Sequence, residues 1–443
     1  MTRLVKILLN REVSKMNYNT QNEKIKSITE KTLIVGIDVG SETHYARAFD
    51  WRNYEYSKKP LAFSNNEVGF ATFKAWVEEM AEKQGKDVVI SGMEPTGHYW
   101  FNLGLYLQDN GMKLVHVNPH HVKKSKELDD NNPNKNDRKD PKTIAALVNE
   151  GRFSYPYIPT GIYAEIRNLS NLRLQAQEEM TRIKNRIARW FSIYFPEIKD
   201  VYKNLDAVSG MMVLKVAPLP QDIKKLGVEG INQIWRNAKL RAAGRKRAKT
   251  LLEAAKHSIG SQEAPDSARM ELNHLLYDYE RYQKRIEKLM DKLEEKLSEI
   301  PYIDKLLKIK GVGLKTVSVL IAEVGDIRRF DNPKQLQKLA GYGIVECSSG
   351  KHKGESHISY RGRKRLRYVL YEAAISLIAR NEEFKEIHKY YRTRENNPLK
   401  KMQSVIAVAC KALRIFYTIL TKGIEYNGAK LIQDIKRPQR MAS

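Results

Sequence analysis

The sequence predicts a mixed α/β domain over residues 31–158, a long helical region over 159–300 and a mainly helical domain over 301–425. Three observations carry this prediction. Short apolar strand-like runs alternate with helical periodicity in the first region, two long apolar stripes occupy the second, and glycine turns separate apolar helices in the third. The polar stretches 1–30 and 426–443 are predicted as an N-terminal tail and a basic C-terminal tail.

The α/β domain begins with three predicted strands in a meander. They are LIVGID (33–38), THYARAFD (43–50) and a third strand near 54–63, with a turn at Gly40-Ser41 between the first two. A helix over 66–83, a strand over 88–93, a helix closed by Gly111, a strand over 113–118 and a helix with Pro119 in its first turn follow. Three strands followed by α, β, α, β, α is the ribonuclease-H-like order, in which helices cover both faces of a mixed sheet.

The two stripes, over 169–194 and 272–300, place apolar residues at spacings of three and four with charged residues between them. Both are typical of coiled-coil helices. Periodicity leaves two interpretations open, an antiparallel hairpin within one chain or an arm that joins two chains. The basic stretch IWRNAKLRAAGRKRAKTLL between them is predicted as an inserted helical piece.

The charge of the chain points to a polyanionic partner. The 443 residues include 78 Lys+Arg against 52 Asp+Glu, which gives a formal net charge of +26. Such an excess is typical of nucleic-acid binding and argues against a routine enzyme of small molecules. The two cysteines exclude a disulfide framework and a zinc-cysteine cluster, and they suit a reducing cytoplasm. We expect no membrane-spanning segment, no membrane anchor and no signal peptide.

Four acids in the first third are candidate metal ligands: Asp38, Glu94, Asp137 and Asp140. Asp38 and Glu94 end predicted neighbouring strands, and the other two lie three apart at a helix start, where both can point to one site. Four carboxylates can hold two Mg²⁺ ions roughly 3.5–4 Å apart, one at the attacking and one at the leaving oxygen of a phosphodiester. Mn²⁺ is the alternative ion.

Each acid also has a structural interpretation. Asp38 can be a turn residue, Glu94 a solvent-facing charge before Pro95, and Asp140 a helix N-cap before Pro141. As an ordered set on this strand pattern, the metal interpretation is favoured.

Further motifs lie in the third region. A polar turn contains Ser348, Ser349 and Gly350, and the run YRGRKRLR after it offers five cations for phosphate contact: Arg361, Arg363, Lys364, Arg365 and Arg367. A solvated charged face is the structural alternative for this run. The turn Gly311-Val-Gly313 before a helix can present backbone N–H groups to a phosphate, although glycine pairs also serve plain tight turns.

Several of these segments resemble the DEDD-type insertion-sequence transposases, a family of bridge-RNA-guided serine recombinases. They are IVGIDVGSETHYARAFD, MEPTGHYW, NKNDRKDPKTIAAL, IKGVGLKTVSVLIAEVGDIRRFDNPKQLQKLAGY and SSGKHKGESHISYRGRKRLRYVLYEAA. The resemblance covers most of the chain from 31 to 390. It implies a RuvC-like N-terminal domain, a coiled-coil linker and a C-terminal transposase domain with a serine nucleophile.

By this resemblance Asp38, Glu94, Asp137 and Asp140 match the DEDD acids. Ser349 matches the nucleophile, with Ser348 as the second candidate. It further implies Mg²⁺, DNA, a guide RNA, a homo-oligomer (dimer or tetramer) and a prokaryotic, nucleoid-associated location.

Three other functions would account for part of the sequence. A hydrolytic RuvC-like Holliday-junction nuclease would use the same acids without the serine. An actin-like ATPase would explain GIDVGS but needs a second phosphate loop in the latter half, which here is helical and basic. A non-enzymatic nucleic-acid binder would leave the four acids without a role.

Overall fold

The computed structural model describes residues 21–57, 59–95, 97–129, 140–204, 207–240, 244–345, 348–349, 352–353 and 357–436. The chain divides into two compact units. The first runs to Pro159 and also contains Arg328–Asp331, and the second contains Thr160–Ile327 and the residues from Asn332 onward. The predicted domain boundaries stay predictions.

The first unit is a mixed α/β structure. Its described strands are β1 (Thr32–Asp38), β2 (Thr43–Phe49), β3 (Leu61–Ser64), β4 (Val88–Met93), β5 (Lys113–Val117) and β6 (Phe153–Ser154). Its described helices are α1 (Gln21–Lys26), α2 (Glu67–Lys83), α3 (Trp100–Asp109), α4 (Pro119–Asp129) and α5 (Asp140–Asn149).

The six strands form one sheet in the order β3-β2-β1-β4-β5-β6. β1, β4 and β5 are parallel neighbours, whereas β2, β3 and β6 pair in antiparallel fashion. The predicted neighbouring of the first and fourth strands is therefore confirmed. Side chains alternate between two cores, because Leu33, Val35 and Ile37 pack on the α2/α3 side while Ile34 and Ile90 pack on the α4/α5 side.

The third strand was predicted too early and too long. It begins at Leu61. Before it, a turn in which the Asp50 carboxylate accepts the N–H groups of Arg52 and Tyr54 at 2.7 and 2.8 Å leads into a single bridge between Phe49 and Glu55, so the residues from Tyr54 onward do not form one continuous strand. Asn53 in this turn has a φ of 66°. A short polar side chain that caps its own turn competes with strand formation, which the strand pattern alone did not reveal.

Both predicted tails contain a helix. In α1 the Gln21 side chain donates to the Glu150 carbonyl at 2.8 Å and the Lys24 ammonium to the Phe153 carbonyl. At the other end α18 (Gly428–Lys436) buries Leu431. Both helices are too short to be stable alone, so tertiary contacts stabilise them and the sequence pattern did not predict them.

Arg328–Asp331 joins the first unit from the far half of the chain. The Arg329 guanidinium lies 4.0 Å from the centre of the Tyr157 ring and 4.3 Å from that of Phe330. Arg329 and Phe330 are buried. A buried guanidinium over an aromatic face is a favourable cation–π arrangement, so this short segment contributes to the core of the first unit.

The second unit is mainly helical. Its described helices are α6 (Gly161–Tyr194), α7 (Ile198–Val201), α8 (Val208–Val216), α9 (Pro220–Asn237), α10 (Arg245–Lys256), α11 (Pro265–Ser298), α12 (Ile303–Leu307), α13 (Leu314–Val324), α14 (Pro333–Leu339), α15 (Lys364–Arg380), α16 (Glu382–Thr393), α17 (Lys401–Lys422) and α18. Its described strands are β7 (Ile344–Val345), β8 (Ser348–Ser349), β9 (His352–Lys353) and β10 (His357–Ile358).

The two predicted stripes are the helices α6 and α11, which pack on each other within one chain. The Trp190 indole donates to the Ala268 carbonyl at 3.0 Å, and Lys184 lies over the Tyr279 ring. Because moving back along α6 moves forward along α11, the pair is antiparallel. This supports the hairpin interpretation. The inserted basic piece forms α9 and α10, which share the hairpin's core.

Replacing Trp235 by alanine should destabilise the second unit by about 3–5 kcal/mol, the usual loss for a large aromatic in a core. Trp235 is fully buried, and its indole donates to the Ser209 carbonyl at 2.8 Å. Chemical unfolding followed by circular dichroism measures the change. Trp51→Ala is the control, since Trp51 is 47% exposed. Equal midpoints for the two variants would contradict the assignment of Trp235 to a core.

One helix in the described part of the chain, α17, is long and apolar enough to cross a membrane by length and composition. Half of its apolar window is buried inside the protein, and its Val408, Leu413 and Phe416 are core residues. It packs on α15. This is the packing expected of a core helix.

Candidate active site

Two of the predicted acids leave the sheet side by side. Ile37 of β1 is the register partner of Met93 of β4 in a parallel pair. Asp38 is the last residue of β1, and Glu94 directly follows β4. Adjacent strands lie about 4.8 Å apart, so both carboxylates emerge at one edge of the sheet. This placement agrees with the prediction from strand order.

The helix α5 sits on the same two strands through a pair of glycines. Gly36 and Gly92 are register partners, two residues before Asp38 and Glu94. A Cβ atom on Gly36 would lie 1.8 Å from the Pro141 carbonyl oxygen, and one on Gly92 would lie 2.6 Å from a Val148 methyl group. Only glycine permits this close approach of a helix backbone to a strand.

The alternation of each strand assigns the acids to the face that α5 covers. Ile34, Gly36 and Asp38 are two residues apart, and Ile34 packs into the α5 core. On β4, Ile90 packs into the same core, and Gly92 and Glu94 follow it at the same two-residue spacing. The first turn of α5, which starts with Asp140, lies over β1 just before Asp38. The fold thus places Asp38 and Glu94 on the face of the sheet that is covered by the helix beginning with Asp140.

Asp140 is mostly buried and forms an ion pair with Lys126 of α4. Asp137 lies outside the described residues. Among the residues that are described, no group of three or more acids, histidines or cysteines is close enough to hold a metal ion. The metal role of the four acids therefore stays a prediction.

A buried histidine fixes the turn that follows Asp38. The Gly40 N–H donates to Nδ1 of His44 at 3.2 Å, and the His44 ring stacks against Phe70. Burial lowers the pKa of His44. The imidazole therefore stays neutral near pH 7 and keeps the Nδ1 lone pair that this bond needs. Sequence reasoning missed His44, because its partner is a backbone group.

The predicted serine loop contains two short antiparallel strand pairs, together called the ribbon here. β7 pairs with β10, and β8 pairs with β9, both of which lie between β7 and β10 in the sequence, so that Ser348 is opposite Lys353 and Ser349 opposite His352. Gly350 lies outside the described residues. The ribbon is anchored at its base, where Gly341 has a φ of 74° and a Cβ on Gly362 would lie 2.4 Å from the Gly341 nitrogen. The strand pair β7/β10 thus has a tightly packed base.

Three of the five predicted phosphate contacts have partners inside the second unit. Arg363 donates to the Glu323 carbonyl at 2.7 Å, Arg365 to the Ser170 carbonyl at 2.8 Å, and Arg367 to the carbonyls of Ala340 and Tyr360 at 3.1 Å each.

Burial lowers the pKa of the Arg365 guanidinium, which is nevertheless charged at neutral pH. The other two cations, Arg361 and Lys364, are exposed at the ribbon base and the start of α15. They are the members of the run best placed to meet a phosphate.

The glycine turn before α13 has a packing role at its first position. Gly311 has a φ of 102°, and its Cβ would lie 3.1 Å from the Leu377 backbone of α15. Gly313 stands in open space at the N-cap of α13. Close helix contact thus explains Gly311 without a phosphate.

Two transposase family models match the chain. The DEDD-type transposase model of IS110 elements matches residues 35–196, and the model of the IS116/IS110/IS902 transposase family matches residues 303–391. The first match contains the four acids, and the second contains Ser349 and the basic run. Together they span more than half of the chain.

Three individual proteins are similar to this chain over part or most of its length. The chain is 23% identical over 391 residues to an insertion element IS116 protein of Streptomyces clavuligerus. This alignment covers 87% of this chain and 94% of that protein. It is 31% identical to a putative transposase, y4rJ, of Sinorhizobium fredii, over 30% of this chain and 33% of the relative. It is 32% identical to a pilin gene-inverting protein of Moraxella bovis, over 26% of this chain and 35% of the relative.

The alignments to y4rJ and to the pilin gene-inverting protein thus span about a third of each relative's length. The IS116 alignment and the two family matches extend over both halves of the chain, in the same order as the two sequence signatures. The chain belongs to the IS110/IS116 family of transposases.

Proposed function

We propose that the protein cuts and rejoins the DNA of an insertion sequence through a serine–DNA intermediate. The observation that carries this proposal is the pairing of Asp38 and Glu94 at the ends of neighbouring parallel strands, on the face that α5 covers. The family match to both halves of the chain supports it. So does the name of the pilin gene-inverting relative, since inverting a gene requires DNA to be cut and rejoined.

The acids fit a divalent cation by their chemistry. Carboxylate oxygens are the donors that Mg²⁺ and Mn²⁺ prefer, and Asp140 already holds a cationic partner in Lys126. Asp38, Glu94 and Asp140, with Asp137, would hold the metal. When bound, it would supply charge stabilisation at the phosphate and at the attacking and leaving oxygens. Lys126, which pairs with Asp140 in the structure, would compete with the metal for that carboxylate.

The serine step conserves the number of phosphoester bonds. The Ser349 oxygen attacks a DNA phosphorus and loses its proton, a P–O bond to the sugar breaks, and the departing sugar oxygen takes up a proton. One phosphodiester is thus exchanged for another, so a DNA hydroxyl can later reverse the step without ATP. Arg361 and Lys364 are the exposed cations available to hold DNA phosphates near the ribbon.

The assembly is also part of the proposal. Family resemblance supports a ribonuclease-H-like, RuvC-like first unit, a guide RNA that pairs with donor and target DNA, a homo-oligomer, and a location on the nucleoid. The sheet order β3-β2-β1-β4-β5 agrees with that fold.

The test is a denaturing-gel search for a covalent protein–DNA adduct. The full chain, purified with its co-expressed flanking RNA, is given Mg²⁺ and labelled junction DNA. We expect an adduct from the wild type and from the matched Ser348→Ala variant, and none from Ser349→Ala. Cleaved DNA without adduct, unchanged in Ser349→Ala, would replace the proposal with a hydrolytic junction nuclease.

A further inference from the structure

The helix α11 carries a row of cations on the side opposite its core. Five residues, defined here as the basic stripe, recur at helical spacing: Arg281, Lys284, Arg285, Lys288 and Lys292. At 3.6 residues per turn they fall within an arc of about 100°. The buried residues of the same helix, including Leu276, Tyr279, Leu293 and Leu297, lie on the other side. The basic stripe therefore faces away from the hairpin core.

The positive charges at the centre of the stripe have no acid partner within the described chain. The outer cations have acid partners, since Arg281 pairs with Asp278 at 3.0 Å and Lys292 with Glu295 at 3.3 Å. Lys284, Arg285 and Lys288 are exposed, and none has an ion pair with an acid of the described chain.

The two acids within the 281–292 segment, Glu287 and Asp291, lie three residues after Lys284 and Lys288 but outside the arc, and neither forms an ion pair with the stripe in the described chain. The like charges of Lys284, Arg285 and Lys288 on successive turns repel one another. An external anion would remove this repulsion.

The stripe is open to solvent along its length. Its side chains, together with Leu289, border an open volume of about 480 Å³ on this one face of the helix. From Arg281 to Lys292 the helix rises about 16 Å. Duplex DNA presents one phosphate charge per about 1.7 Å of its axis, so several phosphates fall within that reach.

We propose that the basic stripe binds the phosphate backbone of duplex DNA without reading its sequence. Lysine and arginine only donate hydrogen bonds, and the phosphate oxygens of a duplex accept such bonds at every base pair whatever its sequence. A duplex is favoured over a single strand because its phosphate charges are twice as dense along the axis. Phosphate contacts fix position and orientation and carry no sequence information. The choice of DNA as partner rests on the proposed function.

The experiment compares the salt dependence of DNA binding among variants of the full chain, freed of RNA by nuclease treatment. The stripe variant is Lys284→Gln/Arg285→Gln/Lys288→Gln. The matched control, Lys83→Gln/Lys113→Gln/Lys422→Gln, removes equal charge from exposed positions elsewhere. A charge-conserving variant, Lys284→Arg/Arg285→Lys/Lys288→Arg, tests whether substitution itself disturbs the helix. Fluorescence anisotropy with a short labelled duplex of unrelated sequence gives the affinity at each salt concentration.

We expect the slope of log affinity against log salt to become shallower by about 2 to 3 in the stripe variant, since each lost phosphate contact removes about 0.9. At about 0.1 M salt this corresponds to a loss of affinity of roughly tenfold or more. The other two variants should keep the wild-type slope. An unchanged slope in the stripe variant, an equal change in the control, or a change seen only with an RNA duplex would overturn the proposal.

The readout is separate from recombination. Ser349→Ala should keep the full salt slope although it forms no adduct. If the wild type itself forms no adduct, the proposed chemistry fails while the slope comparison still decides the role of the stripe.

Discussion

Replacing Gly36 by alanine is expected to abolish DNA strand transfer and to destabilise the first unit. The new methyl group would lie 1.8 Å from the Pro141 carbonyl oxygen, a backbone atom that moves only if α5 moves. Overpacking of this kind typically costs about 1–3 kcal/mol. Because α5 begins with Asp140, any shift also displaces that acid from the region of Asp38 and Glu94.

Two other glycines calibrate the effect. Gly92→Ala meets a methyl group of the Val148 side chain at 2.6 Å, so we expect a smaller loss. Gly244→Ala adds a methyl group in open space, with an expected stability change below about 1 kcal/mol. Thermal unfolding and the adduct assay measure both quantities. A Gly36→Ala variant as stable and active as Gly244→Ala would refute the close seating of α5 on β1.

Replacing Asp38 by asparagine is expected to reduce adduct formation by about 100-fold or more, since loss of even an outer partner of a metal ligand costs about 10–100-fold. The amide keeps the shape of the side chain and removes the charge that would attract the metal. We further expect the variant to need more Mg²⁺ for half-maximal activity. Adduct formation measured over a series of Mg²⁺ concentrations separates the two effects.

The control for Asp38→Asn is Asp87→Asn. Asp87 is 71% exposed, lies in the turn before β4 and has a 4.0 Å ion pair with Lys31. It should keep wild-type activity at every Mg²⁺ concentration. Equal activity of Asp38→Asn and Asp87→Asn would exclude Asp38 from the metal site and leave it the structural role of a strand-end residue.

The sequence predicted the sheet and its two acids because both depend on local pattern. Apolar runs set β1 and β4, and their order implied that Asp38 and Glu94 would be neighbours. A further signal was present but unused, since each acid follows a glycine by two residues, in Gly-Ile-Asp and Gly-Met-Glu. A glycine inside a strand indicates close approach of another backbone, and it predicts a helix seated beside the acids.

The partners of the basic run could not be predicted in this way. Arg363 bonds to Glu323, 40 residues away, and Arg365 to Ser170, 195 residues away. Only the folded chain brings these groups together. The sequence alone does not distinguish an arginine that bonds inside the protein from one that is free to bind a phosphate. The short helices α1 and α18 were missed for a related reason, since tertiary contacts stabilise them.

The Arg328–Asp331 segment affects when the first unit can complete its fold during synthesis. Arg329 stacks on Tyr157, yet a ribosome adds it long after the sheet has emerged. The first unit therefore acquires its last core contact only when most of the second has been synthesised. A fragment that ends at Pro159 lacks this contact, and a nascent chain stalled before Arg328 carries an incomplete first unit. Completion of the acid-bearing unit is thereby tied to synthesis of the helices that precede the serine ribbon.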